Sequence, residues 1–181
     1  MRRIFLDAGA AAGESITFFR ENHPEADQFE IFCFEPHPDN IEFLKKISGI
    51  TLIKACAWIN DDGIEMHFGK LKSGSVYSDK RTGRLSAKAK VSTIDLAQFI
   101  KENFKTEDEI WLKMNIEGAE YKVIPHLEAE GALAWIDRMY VKWHVSKIPS
   151  VTIEEHLKAQ AMVPDSIHKW RCDDVLPLVK K

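Results

Sequence analysis

Short apolar runs alternate along this chain with segments whose apolar positions recur at helical spacing. "RIFLDA" (3–8) opens as a buried strand, and "ESITFFREN" (14–22) follows with helical periodicity. "FEIFCFE" (29–35) predicts a second buried strand. The segment 36–49 predicts a helix capped by Asp39 and ended at Gly49. "TLIKACAW" (51–58) predicts a third strand, "INDDG" a hairpin turn and "IEMHFG" (64–69) the returning strand. Beyond a polar stretch, "VSTIDLAQFIKENF" (91–104) predicts a strand end and a capped helix. "EIWLKMNI" (109–116) and "MYVKWHV" (139–145) predict the fourth and fifth core strands. Helices are expected over 118–131 and 152–161.

This alternation predicts an α/β fold, a mostly parallel sheet with helices on both faces. Such sheets bind ligands at the carboxyl ends of their strands. That rule draws the loop after strand one, Glu35, Trp58, Asn115 to Glu120 and His144 toward one edge.

The chain of 181 residues is expected to form a single domain over 1–181. Its net charge of −3 gives no bulk drive toward nucleic acid or an anionic membrane, so neither is an expected partner. Three cysteines, Cys33, Cys56 and Cys172, with no C-x-x-C pair, point to reduced thiols and a cytoplasmic setting. No apolar run approaches the roughly 18 residues of a membrane span, and the first residues do not read as a signal peptide.

The candidate chemistry begins at "FLDAGAAAGES" (5–15), where Gly9 and Gly13 sit among small alanines between a strand and a helix. Glycines let a ligand approach the backbone, and the helix start offers free N–H groups. Glu35 ends the second strand, where a carboxylate can accept hydrogen bonds from ribose hydroxyls. Asp7, inside the turn, is unfavourable beside a pyrophosphate and favourable beside a cation. This points to S-adenosylmethionine, with its sulfonium and ammonium, over a dinucleotide. The absence of G-x-G-x-x-G likewise argues against a nicotinamide-dependent oxidoreductase.

Several segments together resemble the FkbM-type S-adenosylmethionine-dependent methyltransferases: "FLDAGAAAGE", "FCFEPHPDN", "ACAWINDDG", "VSTIDLAQF", "LKMNIEGAEYKVI" and "MYVKWH". They occur in family order over residues 4–144. The resemblance implies a Rossmann-like class I methyltransferase fold, with seven strands in full-length members. It implies O-methylation of a hydroxyl on a sugar or other small natural product. Carried onto this chain, it places Asp7, Gly9, Ala11 and Gly13 around the methionine part of the cofactor. Glu35 and Pro36 fall at the ribose, Ala57 and Trp58 at adenine, and Asn115 beside the cofactor. The chain departs from the family pattern at Ala11, where Asn is usual, at Asn115, where Asp is usual, and at Lys142, where Glu is usual. These changes motivate an alternative, a domain that binds S-adenosylmethionine with weak or no turnover.

A hydroxyl nucleophile benefits from a group that takes its proton. His144 or Glu117 is expected in that role, with Asn115 beside them. Lys113 and Asn115 share one face of the fourth strand and Lys142 and His144 one face of the fifth, so adjacent strands would cluster all four. No ligand-like spacing implies a metal. Residues 70–90 hold seven basic residues and one acid. They read as a solvated loop, or as a lid recruiting an acidic or phosphorylated substrate. Recruitment of RNA through the same loop runs against the acidic balance elsewhere. Trp135 and Trp170 are candidates for a homodimer interface.

Overall fold

The structure is a computed structural model and describes residues 1–69, 74–82 and 85–163. Its centre is a five-stranded parallel sheet of β1 (Arg3–Ala8), β2 (Glu30–Phe34), β3 (Ile50–Ile53), β9 (Glu109–Met114) and β10 (Arg138–Val141). The strand order is β10-β9-β1-β2-β3. Between these lie α1 (Glu14–Asn22), α2 (Pro38–Leu44), α3 (Leu96–Asn103) and α4 (Glu120–Ala129), followed by α5 (Ile153–Met162).

The two-residue period of the strands divides the core. Ile4, Leu6 and Ala8 of β1, with Ile110, Leu112 and Met114 of β9, pack with Leu96 and Ile100 of α3 and Val123, Ile124 and Leu127 of α4. Phe5, Cys33 and Trp111 point the other way, toward Ile16 and Phe19 of α1 and Leu44 of α2. Both faces are covered, which is why the strands read as apolar runs rather than alternating ones. Trp135 packs, partly buried, against the first of these clusters; Trp170 lies outside the described residues.

Several elements differ from the sequence expectation. The third strand is two strands. Glu35 N–H donates to Ile53 O at 3.1 Å, and the next donor on that side, the His37 N–H, is taken by Glu35 Oε1 at 2.8 Å instead of continuing the ladder. The chain leaves the sheet there, and β4 (Cys56–Trp58) pairs in parallel with β8 (Thr93–Asp95). The strand after "INDDG", β5 (Ile64–Phe68), does not return along β4. It pairs antiparallel with β6 (Gly74–Ser75) and β7 (Ala87–Val91), so parts of the polar segment 70–90 are sheet. Helix α2 ends at Leu44, and its N-cap is His37, whose Nδ1 accepts the Asp39 N–H at 3.2 Å. Pro38 occupies the first turn, where its missing N–H costs nothing. β9 and β10 end before Asn115 and Lys142, leaving Asn115, Lys142 and His144 in the loops beyond.

Candidate active site

A cavity opens over the carboxyl ends of β1, β2, β4 and β9. Its floor is the glycine turn. Gly9 and Ala10 N–H groups both donate to Phe34 O, at 3.0 and 3.2 Å, which folds the turn over the end of β2. A Cβ on Gly9 would lie 2.2 Å from the Asn115 carbonyl oxygen, so only glycine fits between the turn and the loop after β9. Ala11 has φ 49°, the left-handed region, at a cost of about 1 kcal/mol for a residue with a Cβ. Its N–H donates to Glu35 Oε2 at 2.8 Å, which holds it there. Asparagine tolerates this backbone better than alanine, a physical reason for the residue the resemblance expects at that place.

Glu35 is buried at the cavity wall. Its Oε1 accepts the His37 N–H at 2.8 Å while Oε2 accepts from Ala11, tying β1's turn to the start of α2. Burial raises its carboxyl, and hydrogen bonds from His37, Asn40 and Ala11 offset this only in part, leaving it above its ordinary value. Pro36, Ala57 and Trp58 line the same wall, with His37, Cys56 and Met66. On the β9 side the wall is Asn115, Ile116 and Glu117. Asn115 Oδ1 is buried and accepts no hydrogen bond from the described residues.

Two residues of the turn sit elsewhere. Asp7 is fully buried and does not line the cavity; its carboxylate accepts from Ser15 Oγ and, at 2.8 Å, from Lys113 Nζ. The two are register partners across β1 and β9. The charge expected to meet a cationic ligand is therefore met by Lys113. Gly13, with φ 98°, is the N-cap of α1, and a Cβ there would strike Ile47 Cδ1 at 2.3 Å. It serves the packing of α1 and does not line the cavity.

The expected cluster of Lys113, Asn115, Lys142 and His144 is not assembled. Lys113 turns to Asp7, and His144 turns to two glutamates. His144 is fully buried behind the cavity wall, so it does not reach a substrate proton directly in this structure. Its Nδ1 is 2.9 Å from Glu120 Oε1, and its Nε2 is 3.6 Å from Glu117 Oε2. Burial opposes a charged imidazole, but the two carboxylates outweigh it and hold His144 above its ordinary value. Burial would likewise raise Glu117, yet the nearby His144 imidazole and the Lys80 ammonium lower its carboxyl to about 2.

Lys80 was not legible as a site residue. It lies in the basic stretch but is itself buried, with Nζ 2.6 Å from Glu117 Oε2. Ser75 Oγ donates to Glu117 O at 2.7 Å, Asp79 accepts from Ser150, and the Arg81 N–H donates to Lys147 O. Residues 74–82 thus form a strap over the Glu117–Gly118 turn rather than a solvated loop. Lys70, Lys72 and Arg84 of that stretch lie outside the described residues.

The His144 cluster sets a pH dependence. A folded-state value above the unfolded one stabilises fully below the unfolded value and is lost as pH rises through the folded one. The groups facing the ring are Glu117 and Glu120, and the Tyr121 hydroxyl accepts the His144 backbone N–H. Thermal stability is expected to fall as pH rises above about 6.5, the ordinary histidine value. The decline should be shallower in Glu120→Gln, measured by melting scans at stepped pH; equal slopes would show that the cluster does not carry it.

A parallel α/β sheet, a glycine turn after its first strand and a carboxylate closing the second define a Rossmann-like domain. The chain belongs to the methyltransferase FkbM domain family, whose model matches residues 7–171. Among solved structures it is similar to methyltransferase FkbM from Methylobacillus flagellatus KT, with TM-score 0.52 and 15% identity. The match covers 91% of this chain and 38% of that one, so the chain spans well under half of that structure's length. At this identity the likeness concerns the fold. No curated protein matches the sequence. Among the described residues no helix is long and apolar enough to cross a membrane.

Proposed function

We propose that this domain binds S-adenosylmethionine and transfers its methyl group to a hydroxyl of a small molecule, a sugar or related natural product, in the cytoplasm. The observation that carries the reading is Glu35, a buried carboxylate at the cavity wall fixed by two backbone N–H groups. With donors from His37, Ala11 and Asn40 already on it, the carboxylate keeps one acceptor site for a ribose hydroxyl. Asn115 Oδ1 adds a buried acceptor with no partner among the described residues, suited to a ligand N–H or O–H. The bound cofactor would supply an electrophilic methyl on a sulfonium.

The chain's own residues would bind and orient. Gly9 and Ala11 present the turn, Glu35 and Pro36 the ribose wall, and Ala57 and Trp58 an apolar wall for adenine. Asp7 and Gly13 support the turn from behind. Glu117 and Asn115 face the acceptor side, and His144 acts through Glu117. The positive charge of residues 70–90 favours an acidic or phosphorylated acceptor.

One observation favours the second reading, binding with weak turnover. The Glu117 carboxylate at the wall is held at about 2, a poor proton acceptor at neutral pH, and the imidazole behind it is buried and held above its ordinary value. Calorimetric titration followed by an assay of S-adenosylhomocysteine release over neutral and phosphorylated sugars separates the two. S-adenosylmethionine is expected to bind, and Glu35→Ala to weaken it by at least about tenfold, the loss of one hydrogen bond to a charged acceptor. Absence of affinity for both S-adenosylmethionine and S-adenosylhomocysteine would overturn both readings.

A further inference from the structure

Two acids line the cavity, and they flank the glycine turn from opposite sides. Glu35 follows β2 and Glu117 follows β9, while the turn follows β1, which lies between those strands. Along the sheet edge the wall therefore runs from Glu35 through the turn to Asn115 and Glu117. A ligand anchored by its ribose at Glu35 and lying across the turn ends at Glu117.

Glu117 is held there by unusual means. Its backbone has φ 54°, left-handed for a residue with a Cβ. Ser75 Oγ grips its carbonyl, and Tyr77 lies so close to Gly118 that a Cβ there would be 3.0 Å from the Tyr77 ring. Lys80 and His144 both meet Oε2, and a quarter of the side chain stays open. Strained backbone of this kind persists where surrounding contacts over-determine it, commonly at ligand clamps.

We infer that Lys80 and His144 hold Glu117 as a fixed carboxylate at the cavity wall, and that this carboxylate makes the site prefer the sulfonium of S-adenosylmethionine over the neutral thioether of S-adenosylhomocysteine. The inference rests on the proposed cofactor. Among the lining residues Glu117 is suited to this because Glu35 is committed to the turn and α2, and Asp7, the acid that the sequence offers for a cation, is committed to Lys113. Lys80 is a positioning residue: it sets the charge state and place of Glu117 without lining the cavity. Discrimination against the thioether would also favour release of the spent cofactor.

The groups facing Glu117 are Lys80 from the strap and His144 from the loop after β10; Glu120 at the start of α4 pairs with that same imidazole. With both cations present the carboxylate stays ionised through the mildly acidic range. Calorimetry with S-adenosylmethionine and S-adenosylhomocysteine tests this on wild type, Glu117→Gln, Lys80→Met and Lys80→Arg. Glu117→Gln is expected to lower the affinity ratio of the two ligands by about tenfold or more, chiefly through the sulfonium compound. Lys80→Met should make that ratio fall between pH 6 and about 4, the ordinary carboxylate range, where wild type is flat, and Lys80→Arg should restore the flat profile. A ratio taken within one variant is unaffected by partial unfolding, which reduces both affinities alike. If both ligands bind wild type and Glu117→Gln leaves the ratio unchanged, the inference fails and the cofactor reading stands. If neither binds wild type, both fail.

Discussion

Replacing Lys113 by methionine is expected to cost about 3–5 kcal/mol of folding stability, the penalty for removing one member of a buried ion pair. Asp7 is fully buried and Lys113 nearly so, and the Nζ–Oδ1 distance is 2.8 Å. Without the ammonium, Asp7 keeps one side-chain donor, Ser15 Oγ, and no countercharge. A loss of that size is a large share of the roughly 5–15 kcal/mol that holds a domain together. The double variant Asp7→Leu/Lys113→Met should recover most of it, since apolar replacement of a buried pair is often neutral or better. Urea unfolding with the slope checked for constancy reads both effects. A Lys113→Met protein within about 1 kcal/mol of wild type would show that the pair is not structural. The double variant carries a second expectation. Lys113 Nζ also donates to Gly9 O at 2.9 Å, so the refilled core lacks the anchor of the turn and should bind S-adenosylmethionine more weakly at unchanged stability.

That pair marks the limit of what one sequence tells. Asp7 and Lys113 were each visible as polar residues in apolar runs, but they lie 106 positions apart. Their partnership depends on β1 and β9 being neighbours in one register, which periodicity does not encode. The strands themselves were legible because burial on both faces leaves an unbroken apolar signature. The glycine turn and Glu35 were legible because a ligand edge needs a bare backbone and an acceptor at fixed places.

Other features had signals that were read too simply. The N–H that a longer third strand would have needed on its neighbour is that of His37, and Glu35 Oε1 takes it, so the break before Cys56 originates after the second strand rather than in the third. Pro38 in the first turn of α2 marks His37 as the cap in place of Asp39. Lys80 had no such signal. A lysine in a Ser-, Gly- and Lys-rich stretch reads as solvated, and its burial follows from β6 fastening the strap to the Glu117 turn. His144 was legible by type and place, but its two carboxylate partners, Glu117 and Glu120, keep it buried behind the cavity wall.

Gly9→Ala is expected to be the most damaging small substitution in the cavity, and its neighbours supply the controls. At Gly131 an added Cβ meets nothing within 4 Å, so Gly131→Ala pays only for φ +70°, about 1 kcal/mol. At Gly13 the Cβ strikes Ile47 Cδ1 at 2.3 Å, but that is the end of a flexible side chain that can swing aside. At Gly9 the obstacle is the backbone carbonyl of Asn115 at 2.2 Å, with φ +78° adding strain. Neither atom can give way alone, because Asn115 N–H donates to Ala8 O at 3.0 Å and Gly9 N–H to Phe34 O. The loop after β9 must move off the turn, carrying Asn115 and Glu117 with it. Stability should therefore fall in the order Gly131→Ala, Gly13→Ala, Gly9→Ala, with the last costing more than about 2 kcal/mol from strain and overpacking together. Ligand affinity should separate the three more sharply than stability does. Gly131→Ala leaves S-adenosylmethionine binding at the wild-type level, while Gly9→Ala loses it even at temperatures where the protein remains folded by circular dichroism. Retention of full affinity in folded Gly9→Ala would mean that the ligand does not lie against this turn.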